Sequence, residues 1–90
     1  MVEVPIAPVV AKVRRLFRDE ARRKNLSFKA VVAKHYRTIL RHPHVRHIEA
    51  KTKAGNPPKS LTVDRLTYKH TKTLAAVATV MLAVELGLVP

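Results

Sequence analysis

An apolar run of eleven residues, Leu74 to Val84, contains no charged side chain. Helix-compatible residues flank it, so the sequence predicts a helix over about 62–87, with Thr62 as N-cap and Gly87 at the C-terminal end. A helix that is apolar all round must be buried, and a chain of 90 residues has little to bury it with. We therefore expect copies of the chain to pack through this helix. The residues expected at that contact are Leu74, Val77, Val80, Met81, Val84 and Leu88.

Two amphipathic helices are predicted before this run. The first covers about 8–24, with Pro8 near the first helical position, and its apolar residues recur at helical spacing. The second covers about 27–41, with Ser27 as N-cap, and it ends before Pro43 because the residue preceding a proline disfavours the α conformation.

The segment 43–61 has no clear helical period and contains the turn-forming cluster 54–59. It is predicted as an irregular basic connector or as a short hairpin of Val45–Ile48 with Ser60–Val63. The expected fold is therefore all-α, with three helices in a single domain over 1–90. Residues 12–59 form its basic part, and 62–90 form its apolar part.

The formal net charge of +12 is concentrated in residues 12–59, which hold fifteen Lys and Arg against three acidic residues. With so few carboxylates, internal ion pairs cannot absorb this charge, and a polyanion is the natural partner. We expect phosphate contacts from the basic residues of this segment. They are Lys12, Arg14, Arg15, Arg18, Arg22, Arg23, Lys29, Lys34, Arg37, Arg41, Arg46, Lys51, Lys53 and Lys59.

The residue types indicate how the polyanion is bound. Base reading relies on Asn, Gln and Arg held at a groove, and the chain has no Gln and two Asn. Three of its four aromatic residues fall on predicted core faces, whereas binders of single strands offer exposed rings. The sequence predicts sequence-independent binding, with duplex DNA preferred and structured RNA as the other candidate. The scarcity of thermolabile residues is typical of thermophiles.

Other classes of site find little support. The chain lacks Cys, and the spacing of His42, His44 and His47 has no thiolate beside it, so no metal site is expected. With only two glycines the chain cannot form a glycine-rich phosphate-binding loop, and no arrangement of a nucleophile with a base stands out. We therefore expect neither an enzyme nor a cofactor. The apolar run is too short to span a bilayer, which needs about 20 residues, so a membrane partner is not favoured.

The segment Val4-Pro5-Ile6-Ala7-Pro8-Val9, followed by Lys12-Val13-Arg14-Arg15, resembles the start of archaeal histones. The segment Lys59 to Asp64 is similar to the loop that leads into the last histone helix. This resemblance implies DNA wrapping by a helical dimer, with Arg14 or Arg15 and Lys59 near phosphate.

The sequence thus predicts an architectural protein that coats, wraps or condenses duplex DNA as a homo-oligomer or filament. A nucleoid protein and a viral nucleocapsid protein both fit, which places the chain in a cytoplasmic nucleoid or a virion interior. Two alternatives stay open. A ribosomal protein would insert the loop 51–59 into folded RNA, and a winged-helix regulator would use a hairpin within 45–66.

Overall fold

The computed structural model describes residues 1–88, except for the side chains of Pro43, His44, Tyr68 and Lys69. The chain is mostly helical, as predicted, but the described part has four helices and a two-stranded sheet instead of three helices. In chain order the elements are β1 (Val2–Pro5), α1 (Ile6–Lys24), α2 (Phe28–Ile39), α3 (Pro43–Lys53), β2 (Ser60–Val63) and α4 (Tyr68–Glu85).

The first two helices are confirmed, and local chemistry explains their boundary. Asn25 ends α1 in the left-handed conformation, with φ of 52°, which Asn tolerates better than most residues. Its N–H bonds to carbonyls of the last turn, and the N–H of Leu26 bonds to the Ala21 carbonyl at 2.9 Å. Ser27 then caps α2, its hydroxyl oxygen accepting the Ala30 N–H at 3.1 Å, as the sequence predicts.

The prediction of an irregular connector or hairpin is wrong for residues 43–53, which form α3. The preceding helix ends at Ile39, before Pro43. Pro43 occupies the first position of the next helix, where its missing N–H costs nothing. Val45 and Thr52 are buried, seven residues apart, and half-buried Ile48 lies between them. This spacing is that of one helix face.

The strand Ser60–Val63 exists, but its partner is β1 and not Val45–Ile48. The pairing is antiparallel, with Val2 opposite Val63, and the Ile6 N–H extends it by bonding to the Lys59 carbonyl at 2.9 Å. Because residues up to Val63 are extended, Thr62 is not a helix cap, and α4 begins six residues later than predicted. A two-strand contact between segments nearly sixty residues apart leaves no local sequence pattern.

Helix α4 lies at the centre of the fold and packs against α1, α2 and α3. Leu74, Val77 and Val80 are at most 5% exposed within one chain. Met81, Val84 and Leu88 are half-buried and pack against the same core. The expectation that one chain has little to bury this helix with is therefore wrong for Leu74, Val77 and Val80, because the three outer helices cover them.

Candidate nucleic-acid interface

The outer face of α1 is cationic because its apolar residues recur on the opposite side. Ile6, Val13 and Ala21 are buried against the core. The exposed positions of the helix carry Lys12, Arg15, Arg18, Arg22 and Arg23. The nineteen residues of α1 give this face a length of about 28 Å at 1.5 Å per residue.

The outer face of α2 is also positive. Val31, Val32 and Tyr36 turn inward, and Lys34 and Arg37 are exposed one turn apart. Arg41, also exposed, follows just beyond the helix. The remaining predicted residues of α2, α3 and the loop after it are exposed too. They are Lys29, Arg46, Lys51, Lys53 and Lys59.

Carboxylates engage three of the predicted phosphate-binding residues. Arg14 bonds to Glu85 at 2.8 Å and is the one predicted residue that is half-buried; the others are exposed. Arg22 pairs with Asp19, and Lys34 lies 3.4 Å from Glu20. In the described part of the chain, the other predicted cations have no carboxylate oxygen within 4 Å. These are Lys12, Arg15, Arg18, Arg23, Lys29, Arg37, Arg41, Arg46, Lys51, Lys53 and Lys59.

Arg65 belongs with this group, although the sequence analysis did not single it out. It is exposed, follows β2, and has no carboxylate partner among the described residues. It was overlooked because its neighbourhood was predicted as the start of the apolar helix. The sequence did not show that Arg65 lies in a short exposed bend after β2.

Two of the unpaired guanidinium groups are held by neutral contacts. The Arg18 guanidinium carbon lies 5.4 Å from the centre of the Phe28 ring, a cation–π arrangement. The Arg46 Nε donates to the Leu40 carbonyl at 2.8 Å. Both contacts restrict the side chain without neutralising it, so less rotamer entropy is lost when an anion binds.

Glu20 joins α1 to α2 beneath the positive faces. Its carboxylate is 3.0 Å from the His35 Nε2 and 3.6 Å from the Lys24 ammonium, and its side chain is only 14% exposed. The hydrogen bond from His35 lowers the pKa of Glu20 to about 2, against the opposing effect of burial, with the nearby positive charges adding to the lowering. This carboxylate therefore fixes the relative placement of two cationic faces.

Tyr36 provides the corresponding link between α2 and α3. Its hydroxyl donates to the Glu49 carboxylate, and its side chain is 7% exposed. Burial, and then the Glu49 carboxylate, raise the pKa of Tyr36 above its usual value of 10. The link matters for the interface because α3 carries Arg46, Lys51 and Lys53.

The described part of the chain shows neither a metal-binding group nor a membrane-spanning helix. Among the described side chains, no three of His, Cys, Asp or Glu come together as a metal-binding group, and His44 lies outside them. None of the helices described here combines the length and apolar character that crossing a bilayer requires.

Comparison with protein families, curated proteins and solved structures gives no match for this chain. The resemblance to archaeal histones therefore stays a prediction.

Proposed function

We propose that this protein binds the phosphate backbone of nucleic acid and acts as an architectural protein that coats, wraps or condenses duplex DNA. One observation carries the proposal. Eleven of the predicted cations are exposed and lack any carboxylate within 4 Å among the described residues. Their mutual repulsion is relieved when a polyanion lies across them.

The chemistry of these side chains favours backbone contacts. Arginine guanidinium groups can bind phosphate oxygens in pairs, and lysine ammonium groups act as mobile point charges. Counterions released from the nucleic acid then drive binding, which makes the affinity depend steeply on salt. The chain has no Gln and only two Asn, so few groups remain for reading base edges.

The burial of the aromatic rings favours duplex over extended single strand. Phe17 and Phe28 are half-buried in the core and Tyr36 is buried. Proteins that bind single strands without sequence preference stack successive bases on exposed rings. The described surface offers no such row of rings.

Assembly of several copies on one nucleic acid is part of the proposal, and so is a nucleoid or virion location. Leu74, Val77 and Val80 are buried within the chain, so contacts between copies would involve more exposed residues. Exposed Leu16 and Leu66, each 55% exposed, flank an apolar groove between α1 and α4 and are the first to test. Neutralisation by a shared duplex would remove the repulsion between copies.

The test is a salt-titrated binding comparison of a duplex, a single strand of the same sequence and a folded RNA. Lys12, Arg15, Arg18 and Arg23 on α1 alone predict a slope of log K against log salt of about −3.6 or steeper on duplex DNA. Electron microscopy of the complexes then separates regular filaments from irregular compaction. A protein that stays monomeric and binds the folded RNA much more tightly than duplex would refute the architectural proposal and favour a ribosomal role.

A further inference from the structure

A cleft of about 550 Å³ opens between α1, α2, the start of α3 and the first half of α4. Its deep part is formed by Val45 and Thr79, which are buried, and by Ile39. His42 and Lys72 are exposed and lie at its mouth. Small-ligand sites have volumes of about 300–1,000 Å³, so this cleft has room for one compact ligand.

A pair of stacked rings lines one side of the cleft. The rings of Phe17 and His35 lie 4.5 Å apart between centroids and are parallel to within 4°. The His35 Nε2 is anchored to Glu20 at 3.0 Å, which fixes the plane of the ring. Two parallel rings of fixed orientation therefore lie in the wall of the cleft.

The interior of the cleft has few polar groups that need a hydrogen bond from a ligand. The Thr79 hydroxyl donates to the Ala75 carbonyl of its own helix at 2.8 Å. No buried side-chain N or O in the described part of the chain lacks a partner. The interior of the cleft therefore selects a ligand by shape and apolar contact. Lys72 and His42, at the mouth, also have contacts within the chain.

We propose that this cleft receives one unpaired nucleobase of the bound nucleic acid, with the adjoining phosphates near Lys72. The inference rests on the proposed function and deepens it. A nucleotide unit combines a flat ring with a flanking anion, which matches an apolar cleft that has two aromatic rings in its wall and a lysine at its mouth. Because the interior offers few hydrogen bonds, the cleft should accept any base, in keeping with sequence-independent binding.

The probe is a short duplex with one bulged 2-aminopurine, compared with the same duplex fully paired and with 2-aminopurine nucleoside monophosphate. Stacking on an aromatic side chain should make the bulged duplex bind about tenfold more tightly than the paired one. The fluorescence of the bulged base should change on binding. The free monophosphate, which lacks the flanking duplex, should bind far more weakly than either.

The test variant is Ala75→Leu, because Ala75 is an exposed position of α4 that lines the cleft. A leucine there narrows the cleft and should abolish the preference, so that this variant binds the bulged and the paired duplex with equal affinity. Ala75 also lines the groove beside α1, so Thr71→Leu, in that groove alone and one turn away, is the matched control. It should retain the tenfold preference. Circular dichroism of both variants checks the fold.

The outcomes separate the two proposals. Equal affinity of the unmodified protein for bulged and paired duplex overturns the cleft assignment and leaves the proposed function standing. Absence of binding to every duplex refutes the proposed function itself. An equal loss on both duplexes in Ala75→Leu, or equal behaviour of the two variants, also overturns the cleft assignment. If the free monophosphate binds as tightly as the bulged duplex, the occupant is a free nucleotide and not a base of the strand.

Discussion

Neutralising the outer face of α1 should weaken duplex binding through the salt-dependent term. The triple variant Lys12→Gln, Arg15→Gln and Arg23→Gln removes three exposed cations that have no carboxylate within 4 Å among the described residues. Each phosphate contact contributes about 0.9 to the slope of log K against log salt, so the slope should become shallower by about 2.7. At physiological salt each phosphate contact raises the affinity for duplex DNA about fivefold, so losing three contacts should weaken binding on the order of a hundredfold.

The matched control removes three cations that are already paired inside the molecule. Arg14→Gln, Arg22→Gln and Lys34→Gln lower the net charge by the same three units. Their partners Glu85, Asp19 and Glu20 hold them at the protein surface, so each contributes less to phosphate binding. We expect the slope to change by less than about one in this control. Fluorescence anisotropy on a labelled duplex, over a series of salt concentrations, measures both.

The comparison is decisive because the two triple variants have the same net charge. If the two triple variants lose slope equally, total charge and not the unpaired surface governs binding. If the first triple binds as the unmodified protein does, α1 does not face the duplex. Either result would refute the reasoning from carboxylate pairing.

Three further predictions concern the fold that presents this surface. Glu20, with its pKa lowered from 4.5 to about 2, stabilises the fold fully above pH 4.5, and this contribution is lost as the pH falls towards 2. In urea unfolding at a series of pH values, the unfolding free energy of Glu20→Gln should fall less steeply at acid pH than that of the unmodified protein, and an equal fall would contradict the prediction. Tyr36→Phe should cost about 1–3 kcal/mol of unfolding free energy, because it leaves the half-buried Glu49 carboxylate without its hydrogen-bond donor. A double-mutant cycle with Glu49→Gln should show that the two losses are coupled, and additive losses would exclude the link. Leu82→Ala, at a side chain 1% exposed, should cost about 2–5 kcal/mol of unfolding free energy. The loss of stability measured by thermal unfolding should not depend on protein concentration, whereas a dependence would indicate that Leu82 is buried between copies.

The parts of the fold that local patterns encode were predictable. Ser27 caps α2 as its side-chain chemistry requires, and the inward positions of α1 follow from periodicity. Pro43 was ambiguous, since one proline both ends a helix and begins the next. The sequence does not say which role dominates until the burial of Val45 is known.

Long-range contacts were out of reach for the opposite reason. The pairing of Val2 with Val63 depends on where two distant segments meet, and it converts the expected start of the last helix into a strand. The candidate interface was more accessible, because a cation surplus must lie outside. Its finer structure was not, since the contact of Arg14 with Glu85 joins residues 71 positions apart.

The central place of α4 keeps two properties of this molecule apart. Residues that hold the fold, such as Val80 and Leu82, lie inside, whereas the unpaired cations lie on the outer sides of the surrounding helices. Exposed substitutions away from special contacts change stability by about 0.5 kcal/mol or less. Selection can therefore adjust the grip on nucleic acid to the ionic strength of a habitat, one surface residue at a time, while the melting behaviour stays nearly constant.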